Sequence, residues 1–428
     1  MKRLPATACV ALLAVAGCSG PEDPRATSGP PDIRSSRPPP ATTPTVTGTA
    51  LPATPPPAGQ DTLDRRLIDA AWANDVDRAR RLLAQGANPN AKDATVQSAY
   101  LIATSEGYLD LLELTLRHGA DVDSKDRFDG TGLIRAAERG HGSVVGRLIQ
   151  EGIAIDHVNN LGWTALHEAI ILGDGSQRYL DTVRILVAAG TDVTLPSRRD
   201  GIRPVQHASS KGYVALAALL EEAIAADADE VRAGGDERLL QAATTGDADA
   251  AALALRAGAG LETRDAERRT PLLLAVTRDN LAAARLLVAL GADPDALDAR
   301  HDTPWLVTGV TGSVPMVEVL LPAHPDLTIR NRFGGVSLIP ASERGHVDYV
   351  RRVVRTDIDV NHVNDLGWTA MLEAVILGDG SARYQEIVRI LLQAGADPAL
   401  ADTDGVTALQ HARARGQDAV AAILQDAS

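Results

Sequence analysis

From residue 61 onward, apolar residues gather in short clusters at helical spacing, such as Leu286-Leu287 and Ile390-Leu391-Leu392, with a glycine stop after each. One set of stops is Gly107, Gly140, Gly173, Gly212, Gly246, Gly312, Gly345, Gly378 and Gly416. Each falls nine residues after a fixed position that is often Thr. A second set recurs as Gly86-Ala87-Asn88, Gly119-Ala120-Asp121, Gly291-Ala292-Asp293 and Gly395-Ala396-Asp397. The spacing predicts a first helix, a glycine turn and a longer second helix, repeating about every 33 residues. The glycines suit left-handed C-caps, which a residue without Cβ adopts at no steric cost.

Counting in this phase gives five units over 61–223 (61–93, 94–127, 128–160, 161–198, 199–223) and six over 235–428 (235–267, 268–300, 301–332, 333–365, 366–403, 404–428). Units 61–93 and 235–267 are polar-fronted, as the ends of a stack require. Residues 224–234 break the pattern, which predicts two arrays with a hinge rather than one continuous superhelix. Two units depart from the pattern without losing phase: His324-Pro325-Asp326 and Thr356-Asp357-Ile358 replace the second glycine stop, and Pro340 sits early in a first helix.

Before residue 61 the periodicity is absent. Residues 19–60 hold 12 of the 24 prolines and are expected to form a flexible tether. Such a coil reaches roughly 35–40 Å on average and about 130 Å when extended. At the start, Lys2 and Arg3 precede an apolar stretch over 8–16 that is too short to span a bilayer, so 1–17 reads as a signal peptide. Val15-Ala16-Gly17-Cys18 resembles the lipobox of bacterial lipoproteins. The resemblance implies cleavage before Cys18, acylation of that residue, and an extracytoplasmic protein held to a membrane only by lipid. Cys9 lies within the signal, so Cys18 would be the one thiol of the mature chain, with no disulfide partner.

Hydrophobic residues make up 45% of the chain but aromatics only 3%, so the core must be built from Ala, Leu and Val. That suits closely packed helices better than a β-sandwich. Losing Lys2 and Arg3 leaves 40 basic against 56 acidic residues, a formal charge of −16. Such a balance disfavours nucleic acid and anionic lipid surfaces and favours a basic or neutral partner.

The units open as Thr164-Ala165-Leu166-His167, Thr270-Pro271-Leu272 and Thr407-Ala408-Leu409. With the glycine stops at fixed phase, these motifs resemble the ankyrin repeat family over 61–223 and 235–428. The resemblance implies an all-α solenoid of helix-turn-helix units with β-turn fingers. It also implies a non-enzymatic scaffold that binds a protein through its fingers and concave face.

The chain also contains its own comparison. Residues 156–190 return 205 positions later as 361–395, identical at 24 of 35 positions. Both copies carry a five-residue insertion, in a loop reading Gly-Asp-Gly-Ser-x-Arg-Tyr, with Asp174, Arg178 and Tyr179 matching Asp379, Arg383 and Tyr384. It reads either as a helix cap, with Arg pairing Asp and Tyr covering the helix end, or as a recognition loop on a rigid scaffold. The chain's two Phe residues, Phe128 and Phe333, occupy equivalent finger positions beside Arg127 and Arg332, which makes them candidate exposed anchors. Tyr100 and Trp305 fall at core positions, whereas Trp163 and Trp368 are expected to pack between fingers. His157 with Asn159, and His362 with Asn364, suggest a hydrogen-bond ladder between fingers.

Candidate chemistry is sparse. His167-Glu168 lacks the second His of a zinc protease motif, and the other copy reads Leu372-Glu373. Glu168 and Glu373 are expected to be solvated or bonded to a finger. No metal ligand set, phosphate loop or nucleophile motif is present, so no cofactor, small-molecule substrate or enzymatic activity is indicated. The expected partner is a protein. Two further roles are compatible with the sequence: an envelope immunity or inhibitor protein masking a toxin or hydrolase, and a purely structural spacer.

Overall fold

The computed structural model describes residues 59–228 and 234–427. The signal peptide, Cys18 and nearly all of the tether lie outside these residues. Among the described residues, regular structure is helical apart from two single-residue bridges, Lys125 with Thr131 and Ala401 with Thr407. The helices come in pairs, one pair to each unit read from the sequence.

Capping explains where first helices begin. Thr270 is an N-cap whose hydroxyl accepts from the Leu273 amide, and Pro271 follows where no helical N–H is required. Ser98, Thr131, Thr303, Thr369 and Thr407 cap in the same way. Most turn glycines take the expected left-handed conformation, as at Gly107 (φ 77°) and Gly246 (φ 83°). His324 (φ 53°) occupies that region at one replaced stop. In the insertion-bearing units the expectation needs correcting. Gly175 and Gly380 are left-handed, whereas Gly173 and Gly378 are not. A Cβ at Gly173 would lie 2.1 Å from the Ala169 carbonyl oxygen and 2.8 Å from the Tyr179 ring, and one at Gly378 would lie 2.1 Å from the Ala374 carbonyl oxygen and 2.7 Å from Tyr384, so backbone approach first, and ring packing second, require glycine there.

First helices stack on first helices and second helices on second helices, with the core between the layers. That core is dominated by Ala, Leu and Val, and its largest fully buried side chains are Trp305, Tyr100 and Tyr349. The fingers rest on a recurring device absent from the sequence reading. Asp126 Oδ1 accepts the amides of Phe128 and Gly130, and Asn159, Asp265, Asp298, Asn331, Asn364 and Asp402 each bind the amides two and four residues on. The carboxylate or amide thus folds the finger locally.

At the junction the two stacks do not hang on an open hinge. The Gln177–Ala188 helix packs against Ala248–Arg256, and Gly142–Gln150 packs against Leu281–Ala289. All four are second helices, so the arrays meet back to back and their first helices lie on the far sides. Gly146 allows the approach, because a Cβ there would sit 2.1 Å from the Ala289 carbonyl oxygen. Gln150 Nε2 donates to the same oxygen at 2.8 Å. Arg184 joins Asp181 (2.8 Å) to Asp249 (2.6 Å), and Arg256 donates to the carbonyls of Val187 and Thr191.

Candidate protein-binding surface

Phe128 and Phe333 project from fingers and are 40% and 54% exposed. Each is held at its backbone: the Asn160 amide donates to the Phe128 carbonyl, and the Asp365 amide to that of Phe333. The Arg127 guanidinium lies 4.8 Å from the Phe128 ring centroid, and Arg332 lies 4.5 Å from that of Phe333. Arg332 also reaches Asp302 at 3.3 Å, which fixes its direction. In both arrays, therefore, an apolar face and a stacked cation project from one finger. Near Phe333 the next finger adds Val363 (45% exposed) and Leu366 (53%).

The inserted loops divide their residues between interior and surface. Tyr179 and Tyr384 are buried, and their hydroxyls donate to the carbonyls of Glu138 (3.0 Å) and Glu343 (2.9 Å) in the preceding units. Asp174 and Asp379 accept the amides of Ser176 and Ser381, which shapes the turn. Arg178 and Arg383 stack on the tyrosines, each 4.9 Å from the ring centroid, while remaining exposed. Their stems cross the glycine turns at Gly140 and Gly345. The loop therefore links a unit to the one before it, leaving Arg and Asp on the surface.

The finger ladder is present: His157 Nε2 lies 2.7 Å from the Asp129 carbonyl, and His362 Nε2 lies 2.6 Å from that of Gly334. Trp163 and Trp368 are half-buried, Trp368 against the core. Glu168 and Glu373 are buried rather than solvated. Each accepts from the amide of a finger Asn, Asn159 at 2.8 Å or Asn364 at 2.9 Å. Burial raises both carboxyls from the ordinary carboxylate range to about 7. His167 is pushed down to about 4, first by burial and then by neighbouring His207. Among the described residues, no cluster of three or more His, Cys, Asp or Glu side chains is arranged to hold a metal. No described helix is long and apolar enough to cross a membrane.

The family profile described as ankyrin repeats (3 copies) matches residues 100–197 and 305–402, and the single ankyrin repeat profile matches 267–299. The chain belongs to the ankyrin repeat family. The putative ankyrin repeat protein YahD of Escherichia coli K12 is 39% identical over 186 residues, 43% of this chain and 92% of the relative. An ankyrin repeat domain from Acinetobacter baumannii is 44% identical, covering 44% of this chain and 96% of that one with a TM-score of 0.43. The ankyrin repeat protein EF0377 is 35% identical over 44% of this chain and 97% of its own, with a TM-score of 0.43. Within this ankyrin repeat chain, the two three-copy matches fall one in each array, and the second begins 205 residues after the first.

Proposed function

We propose that the chain is an envelope-anchored scaffold that grips a protein partner through its fingers and first-helix faces. Ankyrin repeats are protein-interaction modules, and repeat stacking creates the extended surface for this. The observation that carries the reading is the Phe–Arg finger pair, exposed at equivalent positions in both arrays. Exposed aromatics beside Arg are the residue types that dominate binding energy at protein interfaces. The acidic balance favours a basic or neutral partner, which also suits masking of a basic toxin or hydrolase.

Cross-linking in envelope fractions tests the surface. The wild-type chain is expected to capture a discrete protein that the combined Phe128→Ser, Phe333→Ser, Arg127→Ala and Arg332→Ala variant does not. Equal capture by both chains would remove the finger assignment. Anchoring is tested separately: Cys18→Ala is expected to move the protein from the membrane to the soluble fraction, and unchanged membrane association would rule out the lipid.

A further inference from the structure

The docked arrays leave a cleft of about 1180 Å³ between their second helices. Its two walls differ in chemistry. The first array supplies Arg117, Ser143, Arg147, Gln177 and Arg178, whereas the second supplies Val288, Ala292, Pro294, Pro315, Val319 and Pro322, with Arg285 beside them. Contacts that cross between the walls include Gln150 to the Ala289 carbonyl, His324 Nε2 to Glu113 Oε2 at 3.0 Å, and the 3.8 Å ion pair of Arg285 with Asp181.

Carboxylates line the cleft as well, namely Glu113, Asp181, Asp293 and Glu318. Three of them are already engaged. Glu113 is held by Arg117 and His324, Asp181 by Arg184, and Glu318 by Arg352. Arg184 and Arg352 lie outside the lining, so cations from elsewhere neutralise acids within it. Arg178 makes no ion pair among the described residues. Arg285 reaches only a carboxylate that Arg184 already binds, at 3.8 Å. Arg147 pairs with Glu151, which is outside the lining. Of the lining guanidinium groups, Arg117 and Arg147 each pair with one glutamate, whereas among the described residues Arg178 makes no ion pair and Arg285 only the one at 3.8 Å, so these two carry the cleft's least engaged positive charge.

The internal comparison separates this cleft from the general demands of the repeat. The position equivalent to Gly146 is Arg351, which bonds to Asp348 and Glu386, so the matching face of the second array is closed by its own charges. The cleft therefore has no counterpart at the matching face of the second array, and its lining comes from both arrays.

We infer that this cleft binds an acidic, amphipathic peptide segment of a partner protein, apolar side chains toward Val288 and Val319 and carboxylates toward Arg147, Arg178 and Arg285. Its volume exceeds the roughly 300–1,000 Å³ typical of small-molecule pockets. Grooves with an apolar floor take amphipathic segments, and Arg binds carboxylates in paired, directional hydrogen bonds. The site is distinct from the Phe–Arg fingers and does not depend on them.

The test is selection of a displayed random 16-residue peptide library on the full-length protein, with counter-selection on Val319→Trp, which obstructs the cleft's apolar wall. Enriched peptides are expected to combine Asp or Glu with Leu, Ile or Phe. A synthetic peptide from that set should bind Arg147→Glu/Arg178→Glu about tenfold or more weakly. Its affinity for Phe128→Ser/Phe333→Ser should stay within about twofold, because those fingers lie outside the cleft. The Arg variants change exposed or half-exposed side chains, so they remain informative if Val319→Trp folds poorly. Enrichment of basic peptides, loss of binding only in the Phe variant, or no cleft-sensitive enrichment would each overturn the inference.

Discussion

Glu168 and Glu373 are 3% and 5% exposed, and each has an amide rather than a cation as its hydrogen-bonding partner. Removing a carboxylate from water without a counter-charge favours its protonated form. Both groups accordingly titrate near 7 in the folded chain instead of near 4.5. The folded state then binds more protons than the unfolded chain between those values. The resulting stability is complete below about 4.5 and declines as pH rises through about 7. Buried His167 and half-buried His141 and His207 have lowered values and act in the opposite direction at more acidic pH, because the unfolded chain takes up their protons first. We expect Glu168→Gln/Glu373→Gln to be more stable than wild type at pH 8.5, by about 2 kcal/mol per site, with the gain shrinking toward pH 5. Urea denaturation of both chains at the two pH values checks this, and parallel pH profiles would refute it.

At the scale of the element, the inserted loop behaves as a clasp between successive units. Tyr179→Phe and Tyr384→Phe each remove one hydroxyl that satisfies a carbonyl of the preceding unit, at an expected cost of about 1 kcal/mol by thermal or urea unfolding. Arg178→Ala should cost less than the Tyr changes, because an exposed cation–π contact contributes only about 0.5–1 kcal/mol. An Arg178→Ala loss larger than that of Tyr179→Phe would place the stabilisation in the guanidinium instead. The phase of these elements was legible because it follows from local requirements: Thr caps, turn glycines and apolar spacing all lie within one unit. Gly173 and Gly378 differ from the capping glycines because the inserted loop brings each against a carbonyl of the preceding helix and the Tyr ring of the next, which unit-level spacing does not show. The finger Asp and Asn residues also had a local signal, a side chain five residues before each Thr position, hidden by the alternation of Asp and Asn. Of the candidate surface, Phe128 and Phe333, candidate exposed anchors on the sequence, are exposed, as are Arg178 and Arg383 of the loop that the sequence leaves between a cap and a recognition role. The burial of Tyr179 and Tyr384 required knowing which carbonyl lay beneath them.

At the scale of the whole molecule, the back-to-back docking of the arrays was the least legible feature, because it joins faces far apart in sequence that no repeat-level requirement specifies. Its trace in the sequence is confined to single residues such as Gly146, whose counterpart is Arg351, and Gln150, whose counterpart is Arg355. Gly146 lies inside a helix, where Ala is normally favoured by about 1 kcal/mol on intrinsic propensity. Here a Cβ would meet the Ala289 backbone at 2.1 Å, and backbone yields less readily than a flexible side chain. Gly146→Ala is therefore expected to destabilise the chain against its helix propensity, by about 1–3 kcal/mol. Gly146→Arg should separate the arrays altogether, leaving the Arg184–Asp249 and Gln150–Ala289 links without the approach that brings them together. Small-angle scattering should then show a larger radius of gyration, and calorimetry should resolve two unfolding transitions where the docked chain gives one. The reciprocal Arg351→Gly change alters a face that packs no second array and should leave both measurements unchanged. If Gly146→Arg retained the wild-type dimensions and a single transition, the contact at Gly146 would not be what joins the arrays, and the cleft beside it would lose its structural basis.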